Sequence, residues 1–204
     1  MPFIATVAPA LATGEVRSMY ERQQASWGYV PDYAKAFSHR PEVLARWGKL
    51  LAEIRRPMSD RRFELVTFAT ALELRNSACA FAHGKNLTRF FPVDSVRAMA
   101  EGGEVPDLAE DERALMAFAR KLARDAASVT QEDVDGLRAQ GLGDEEIFDV
   151  VATAAGRAFF TKLLDGLGVL GNAPAGTPEI GLEAVLTVGR PLDRSAPERL
   201  EPEA

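Results

Sequence analysis

The chain has 204 residues, 47% hydrophobic and 26% charged, with a formal net charge of −6. That length and composition fit a globular protein with one sizeable core or two small ones, and an acidic balance without a Lys/Arg cluster argues against nucleic acid as a partner. No apolar run is long enough to cross a bilayer, one cysteine cannot form an internal disulfide, and the N-terminus lacks a basic-then-apolar leader, so a cytoplasmic protein is expected.

Taken in chain order, nearly every segment reads as helix, because Ala, Leu, Glu and Arg abound and alternating β-branched runs are absent. The first helix is expected over 14–26, capped by Thr13. Gly28, Pro31 and Asp32 make a turn before a short helix ending at Phe37. Pro41 suits the first position of a helix over 41–55, which Pro57 and Ser59 separate from the next. The helix over 60–74 is the most apolar; Phe63, Leu65, Val66, Phe68 and Leu72 cover most of its circumference, so it belongs in the centre.

A second central helix is expected over 78–90, stopped before Pro92 and followed by a loop marked by Gly102, Gly103 and Pro106. The stretch 110–126 is amphipathic, with Leu115, Phe118 and Leu122 on one face. Thr130-Gln131-Glu132-Asp133 has the form of a capping box with Asp in the acidic position. A last long helix spans 145–168. The expectation is an all-α domain over 1–170 and an extended C-terminal tail over 171–204, punctuated by prolines. The tail's apolar part, 180–188, is expected to dock on a surface, a second subunit among the candidates, and its last ten residues are expected to be mobile.

The most reactive pair in the chain lies in Asn76-Ser77-Ala78-Cys79-Ala80-Phe81-Ala82-His83. Cys79 and His83 stand four residues apart, which puts them one turn apart on one helix face. A turn near 73–76, with Asn76 or Ser77 as cap, places Cys79 in the first helical turn, where the positive end of the helix dipole favours a thiolate. Folding the two central helices back about Leu74 brings Glu64 level with His83, where a carboxylate can orient the imidazole. On residue type alone, other readings stand beside this one. A buried cysteine is also a small apolar filler, a helical histidine is often structural, and Asn76 is first of all a cap. Two histidines and one cysteine give no three-ligand zinc pattern, and no glycine-rich phosphate loop occurs, so neither metal nor cofactor is expected.

At these residues the chain resembles the carboxymuconolactone decarboxylase/alkylhydroperoxidase D-like superfamily. The pattern there is Glu, eleven residues, then Cys-x-x-Cys-x-x-x-His; here Glu64 is followed at that interval by Asn76, Cys79 and His83. Met1-Pro2-Phe3-Ile4, Gly28-Tyr29-Val30-Pro31, Ser38-His39-Arg40-Pro41-Glu42, 137–147 and Asp165-Gly166-Leu167-Gly168-Val169 resemble its peroxidase-related branch, so the likeness covers roughly 1–170.

The resemblance implies an alkylhydroperoxidase D-like helical bundle with a central antiparallel hairpin, a homo-oligomer, and thiol-dependent hydroperoxide reduction in members with both cysteines. It gives Cys79 the role of peroxide-attacking thiol and His83 and Glu64 that of proton relay. The resolving position holds Asn76, so a sulfenate at Cys79 needs an external thiol reductant. Asn76, Phe81 and Arg157 are expected around the pocket, with Thr161 and Lys162 near Arg157; His39 is expected to be structural. The alternative reactions are a decarboxylase-type lyase or isomerase acting on a small carboxylate through Glu64 and His83, or no catalysis at all in a helical oligomer.

Overall fold

The computed structural model describes residues 2–173 and 181–200. Ten α-helices and no strand occur among them: α1 (Gly14–Trp27), α2 (Asp32–Ala36), α3 (Pro41–Arg55), α4 (Asp60–Glu73), α5 (Ser77–Leu87), α6 (Val93–Glu101), α7 (Glu110–Arg124), α8 (Gln131–Ala139), α9 (Asp144–Gly166) and α10 (Leu182–Leu186).

Helix α4 is the axis of the bundle. Ser59 caps it, its hydroxyl accepting from the Arg62 amide at 3.3 Å, and every residue from Phe63 to Leu72 is buried. A helix apolar on all sides can satisfy that only with neighbours all round, and α4 packs on α5, α7 and α9. Each large side chain it buries contributes roughly 1.5–3 kcal/mol. Charges collect where α4 emerges. Arg61 makes a two-point contact with Glu112 (2.5 and 2.8 Å), and Arg62 bridges Asp111 of α7 (2.8 Å) and Glu146 of α9 (2.5 Å). These pairs fix the register of three helices more than they add stability.

Sequence reasoning passes over α6. Val96 and Met99 are buried and point its apolar stripe inward, but the helix is nine residues long and starts directly after Pro92, so its period is easily read as part of a loop. Helix α5 also ends at Leu87, earlier than expected, and 88–90 continue as a turn.

The tail is built into the same core. Its expected docking segment, over the described residues 181–188, packs on α5 and α6 of its own chain, with Leu182 and Leu186 both 1% exposed. Gly84 makes room for it: a β-carbon there would lie 2.7 Å from Leu186 Cδ1. Arg75 Nε donates to the Val188 carbonyl (3.0 Å), and the Gly189 amide donates to Ser77 Oγ (3.0 Å). Farther on, 195–200 is held rather than loose. The Val30 amide donates to the Glu198 carbonyl at 2.9 Å, and Gln24 exchanges hydrogen bonds with the Leu200 backbone. The proline-bearing stretch 174–180 and the last four residues, also part of the expected tail, lie outside the described residues.

Candidate functional site

The site begins with a turn. Arg75 takes the left-handed conformation (φ 55°), its amide donates to the Leu72 carbonyl, and the Asn76 amide donates to the Ala71 carbonyl, both at 3.0 Å. This is a Schellman closure with arginine where glycine is usual; it stops α4 and reverses the chain. Asn76 then caps α5. Its Oδ1 accepts from the Cys79 amide (2.9 Å), and its Nδ2 donates to Asp165 Oδ2 on α9 (3.0 Å). Cys79 is therefore the third residue of α5, 5% exposed, at the electropositive end of the helix. The Thr161 hydroxyl, itself fully buried, donates to its sulfur at 3.8 Å.

One turn along α5, His83 Nδ1 lies 2.6 Å from Glu64 Oε2, and Asn86 Nδ2 donates to Glu64 Oε1 at 3.1 Å. Glu64 is 2% exposed. Burial alone would raise its pKa, but the hydrogen bond and charge of His83, the Asn86 amide and the charge of Arg55 hold it below the ordinary carboxylate value. Burial lowers the pKa of His83, and the positive charges of Arg157 and Arg55 lower it further against the opposing pull of Glu64. The pair is thus a carboxylate and a neutral imidazole at neutral pH. An anionic acceptor on Nδ1 fixes the proton there and leaves Nε2 as the basic atom.

Cys79, His83, Glu64, Asn76, Asn86 and Arg157 all line one cavity of about 660 Å³. Its opposite side is apolar and aromatic. Trp47 and Phe160 stack with centroids 4.3 Å apart, Tyr33 meets Phe160 edge-on at 5.5 Å, and Phe63 and Leu51 extend the wall. Burial pushes the Tyr33 phenol up to about 12, which removes it as a base at neutral pH. His83 and Cys79 border the same space, yet no hydrogen bond joins ring to sulfur among the described residues; the sulfur's hydrogen-bond partner is Thr161.

Phe81, expected at the pocket, is instead packed in the hydrophobic core and is not among the lining residues. It lies two residues from Cys79 and from His83, which on a helix turns it away from the face those two share. Lys162 is exposed and outside the cavity, and His39 bonds the Ala5 carbonyl at 2.7 Å, a structural contact. Asn86, Trp47 and Phe160 escaped sequence reasoning. Asn86 stands three residues from His83. Arg157, Phe160, Thr161 and Leu164 follow i, i+3, i+4, i+7 on α9, a legible signal of one face, though not of what that face meets.

Comparison by sequence gives no matching family model and no matching curated protein. Comparison by structure does give matches. The alkylhydroperoxidase AhpD core of an uncharacterized peroxidase-related protein from Ralstonia eutropha JMP134 superposes with a TM-score of 0.68 at 21% identity, covering 84% of this chain and 92% of that one. The chain has the AhpD-like fold. An uncharacterized peroxidase-related protein from Silicibacter sp. TM1040 shares it (TM-score 0.66, 20% identity, 78% and 85% covered). So does a cysteine-to-alanine variant of the debrominase Bmp8 in complex with 2,3,4-tribromopyrrole (TM-score 0.66, 18% identity, 83% and 94% covered). In the AhpD-like fold seen here, the α4–α5 hairpin carries the glutamate, cysteine and histidine, and α9 closes the cavity over them.

Proposed function

We propose that this chain is a single-cysteine, thiol-dependent oxidoreductase related to the AhpD peroxidases, and that its substrate is a hydroperoxide. One observation carries the reading: a buried Glu64–His83 pair presents a neutral imidazole nitrogen to the cavity that holds the Cys79 sulfur. His83 Nε2 takes the thiol proton through a water or the substrate, since the two side chains share space without touching. The thiolate so formed, at the N-terminus of α5 and beside the Thr161 hydroxyl, attacks the terminal peroxide oxygen. The O–O bond breaks, its electron pair leaves on the alkoxide, and the imidazolium returns the proton to make the alcohol. Sulfur is oxidised by two electrons to a sulfenic acid. An external thiol then condenses with it, releasing water and leaving a mixed disulfide, and a second external thiol frees Cys79.

The test is peroxide treatment with a sulfenate-trapping reagent and mass spectrometry. An adduct at Cys79 that falls at least tenfold in His83→Ala supports the reading. An unlabelled Cys79, or equal labelling in both proteins, removes it. The same assay with 2,3,4-tribromopyrrole asks whether a carbon–halogen bond is the better electrophile, as the debrominase of this fold makes worth asking.

The absence of a sulfur–imidazole hydrogen bond favours a second reading, in which Glu64 and His83 move protons on a small carboxylate and Cys79 only lines the wall. Under it Cys79→Ser retains turnover and His83→Ala loses it.

A further inference from the structure

Arg157 is 6% exposed, yet among the described residues no hydrogen bond or ion pair engages its guanidinium, and its Nε is buried without a partner. It lines the cavity, its head 5.6 Å from the centre of the Trp47 ring and 5.8 Å from that of Phe160. The neighbouring charges are committed elsewhere. Glu64 is held by His83 and Asn86; of the other guanidinium groups along the cavity, Arg55 is half-exposed, pairs with Asp60 at 2.6 Å and stacks on Phe63, and Arg22 stands at an exposed position. An unpaired cation in such a place is costly, and aromatic faces offset only part of that cost. A guanidinium is also the side chain best shaped to grip a carboxylate at two points.

We infer that Arg157 anchors an anionic group on the substrate, so that the cavity selects organic acids with a flat apolar body over neutral molecules of the same shape. Trp47 and Phe160 supply the face for that body. Arg157 stands one helical turn before Thr161, whose hydroxyl touches the Cys79 sulfur. Residues so spaced share one face of α9, so the acid group and the reacting atom of the substrate face neighbouring turns of the same helix. Arg157's positive charge also disfavours protonation of His83. A bound anion cancels that influence, which couples occupancy of the site to the basicity of the catalytic imidazole.

Arg157's role rests on the reading that this cavity holds the substrate, and not on Cys79 being reactive. The experiment is calorimetric titration of the wild type and of Cys79→Ser with 2-naphthoate and with its neutral twin, 2-naphthamide. The acid is expected to bind both proteins about tenfold more tightly than the amide, or better, and Arg157→Met to abolish the preference. Equal affinity for acid and amide in the wild type overturns the assignment without any variant having to fold, as does a preference that survives in Arg157→Met. As a second readout, the His83 ring resonance should titrate at higher pH with saturating 2-naphthoate and not with the amide; an unmoved titration counts against the site. In turnover, Arg157→Met should raise KM for the 4-carboxylate of cumene hydroperoxide about tenfold more than it changes KM for cumene hydroperoxide itself, and a change of equal size for the two counts against the site. If neither hydroperoxide oxidises Cys79 while the acid preference persists, the redox reading fails and the anion site stands; if both oxidise it and the preference is absent, the reverse holds.

Discussion

Replacing Glu64 by glutamine removes one charge and almost no volume from the centre of the proposed relay. In the native site the carboxylate accepts from His83 Nδ1 at 2.6 Å and from Asn86 Nδ2 at 3.1 Å, at a residue 2% exposed. A glutamine can keep one of those bonds as an acceptor, but its amide group then faces a donor on the other side, so either Asn86 must flip or the imidazole must change tautomer. Loss of the charge-assisted bond is worth about 1.5–3 kcal/mol in the step that uses the imidazole as base, or about 10- to 150-fold in rate. Stability should change by no more than about 1 kcal/mol, because the desolvation cost of a buried carboxylate disappears with its hydrogen bond. The assay is the second-order rate of Cys79 oxidation by cumene hydroperoxide, followed by stopped flow across pH. Glu64 is what raises the His83 pKa against burial and the charges of Arg157 and Arg55, so Glu64→Gln should lower that pKa still further and move the acid limb of the rate profile down. An oxidation rate within twofold of wild type, with the acid limb in place, would refute the relay.

Three further outcomes follow from the geometry. Thr161→Val keeps the shape beside the sulfur and deletes its hydrogen-bond donor, so alkylation of Cys79 by iodoacetamide at neutral pH should slow about 2- to 10-fold with little change in the unfolding midpoint. Asn76→Ala loses the cap on the Cys79 amide and the bond to Asp165 and should cost about 1–2 kcal/mol in urea unfolding, whereas Asn76→Cys, with a similar loss of cap, should form an internal disulfide after one equivalent of peroxide, seen as an intact mass two hydrogens lighter. The folded-state pKa of His83 lies below its ordinary 6.5, so between the two values the unfolded chain binds more protons and stability is lost as pH falls from 6.5 towards the folded value. Urea midpoints at pH 7.5, 6.5 and 5.5 should decline, the decline should flatten in His83→Gln, and Glu64 should add a second loss below its own ordinary 4.5.

Much of this site was legible in the sequence because it is local. Cys79 and His83 sit on one helix with a cap three residues before the sulfur, and hairpin symmetry about Leu74 puts Glu64 opposite His83. Helix α4 was legible for a similar reason: a segment apolar on every side has only one place to go. What could not be read was set by contacts distant in the chain. Thr161 reaches the sulfur across 82 residues, and the Trp47–Phe160 wall joins α3 to α9. Helical periodicity says that Arg157 shares a face with Phe160 and Thr161, but whether that face meets solvent, a carboxylate or a cavity depends on where α3 and α4 lie. Phe81 is the converse case: it neighbours Cys79 in the sequence, but the half-turn between their directions on α5 turns it into the core.

Asn76 shows why a single thiol here is not simply a peroxidase site with a part missing. A cysteine at that position would offer a resolving sulfur but a poor cap. The asparagine instead accepts from the amide of Cys79 itself and reaches α9 through Asp165, so it fixes the first turn of α5 against the helix that carries Thr161 and Arg157. On the proposed reading, asparagine in the resolving position makes the return of Cys79 to a thiol a reaction between molecules. Under the proposed reaction, oxidised Cys79 would have no second cysteine in its own chain to close upon, and its reductant would enter the cavity that the product leaves. A cavity of about 660 Å³, far larger than hydrogen peroxide requires, is consistent with both visitors, the bulky substrate and then the external thiol.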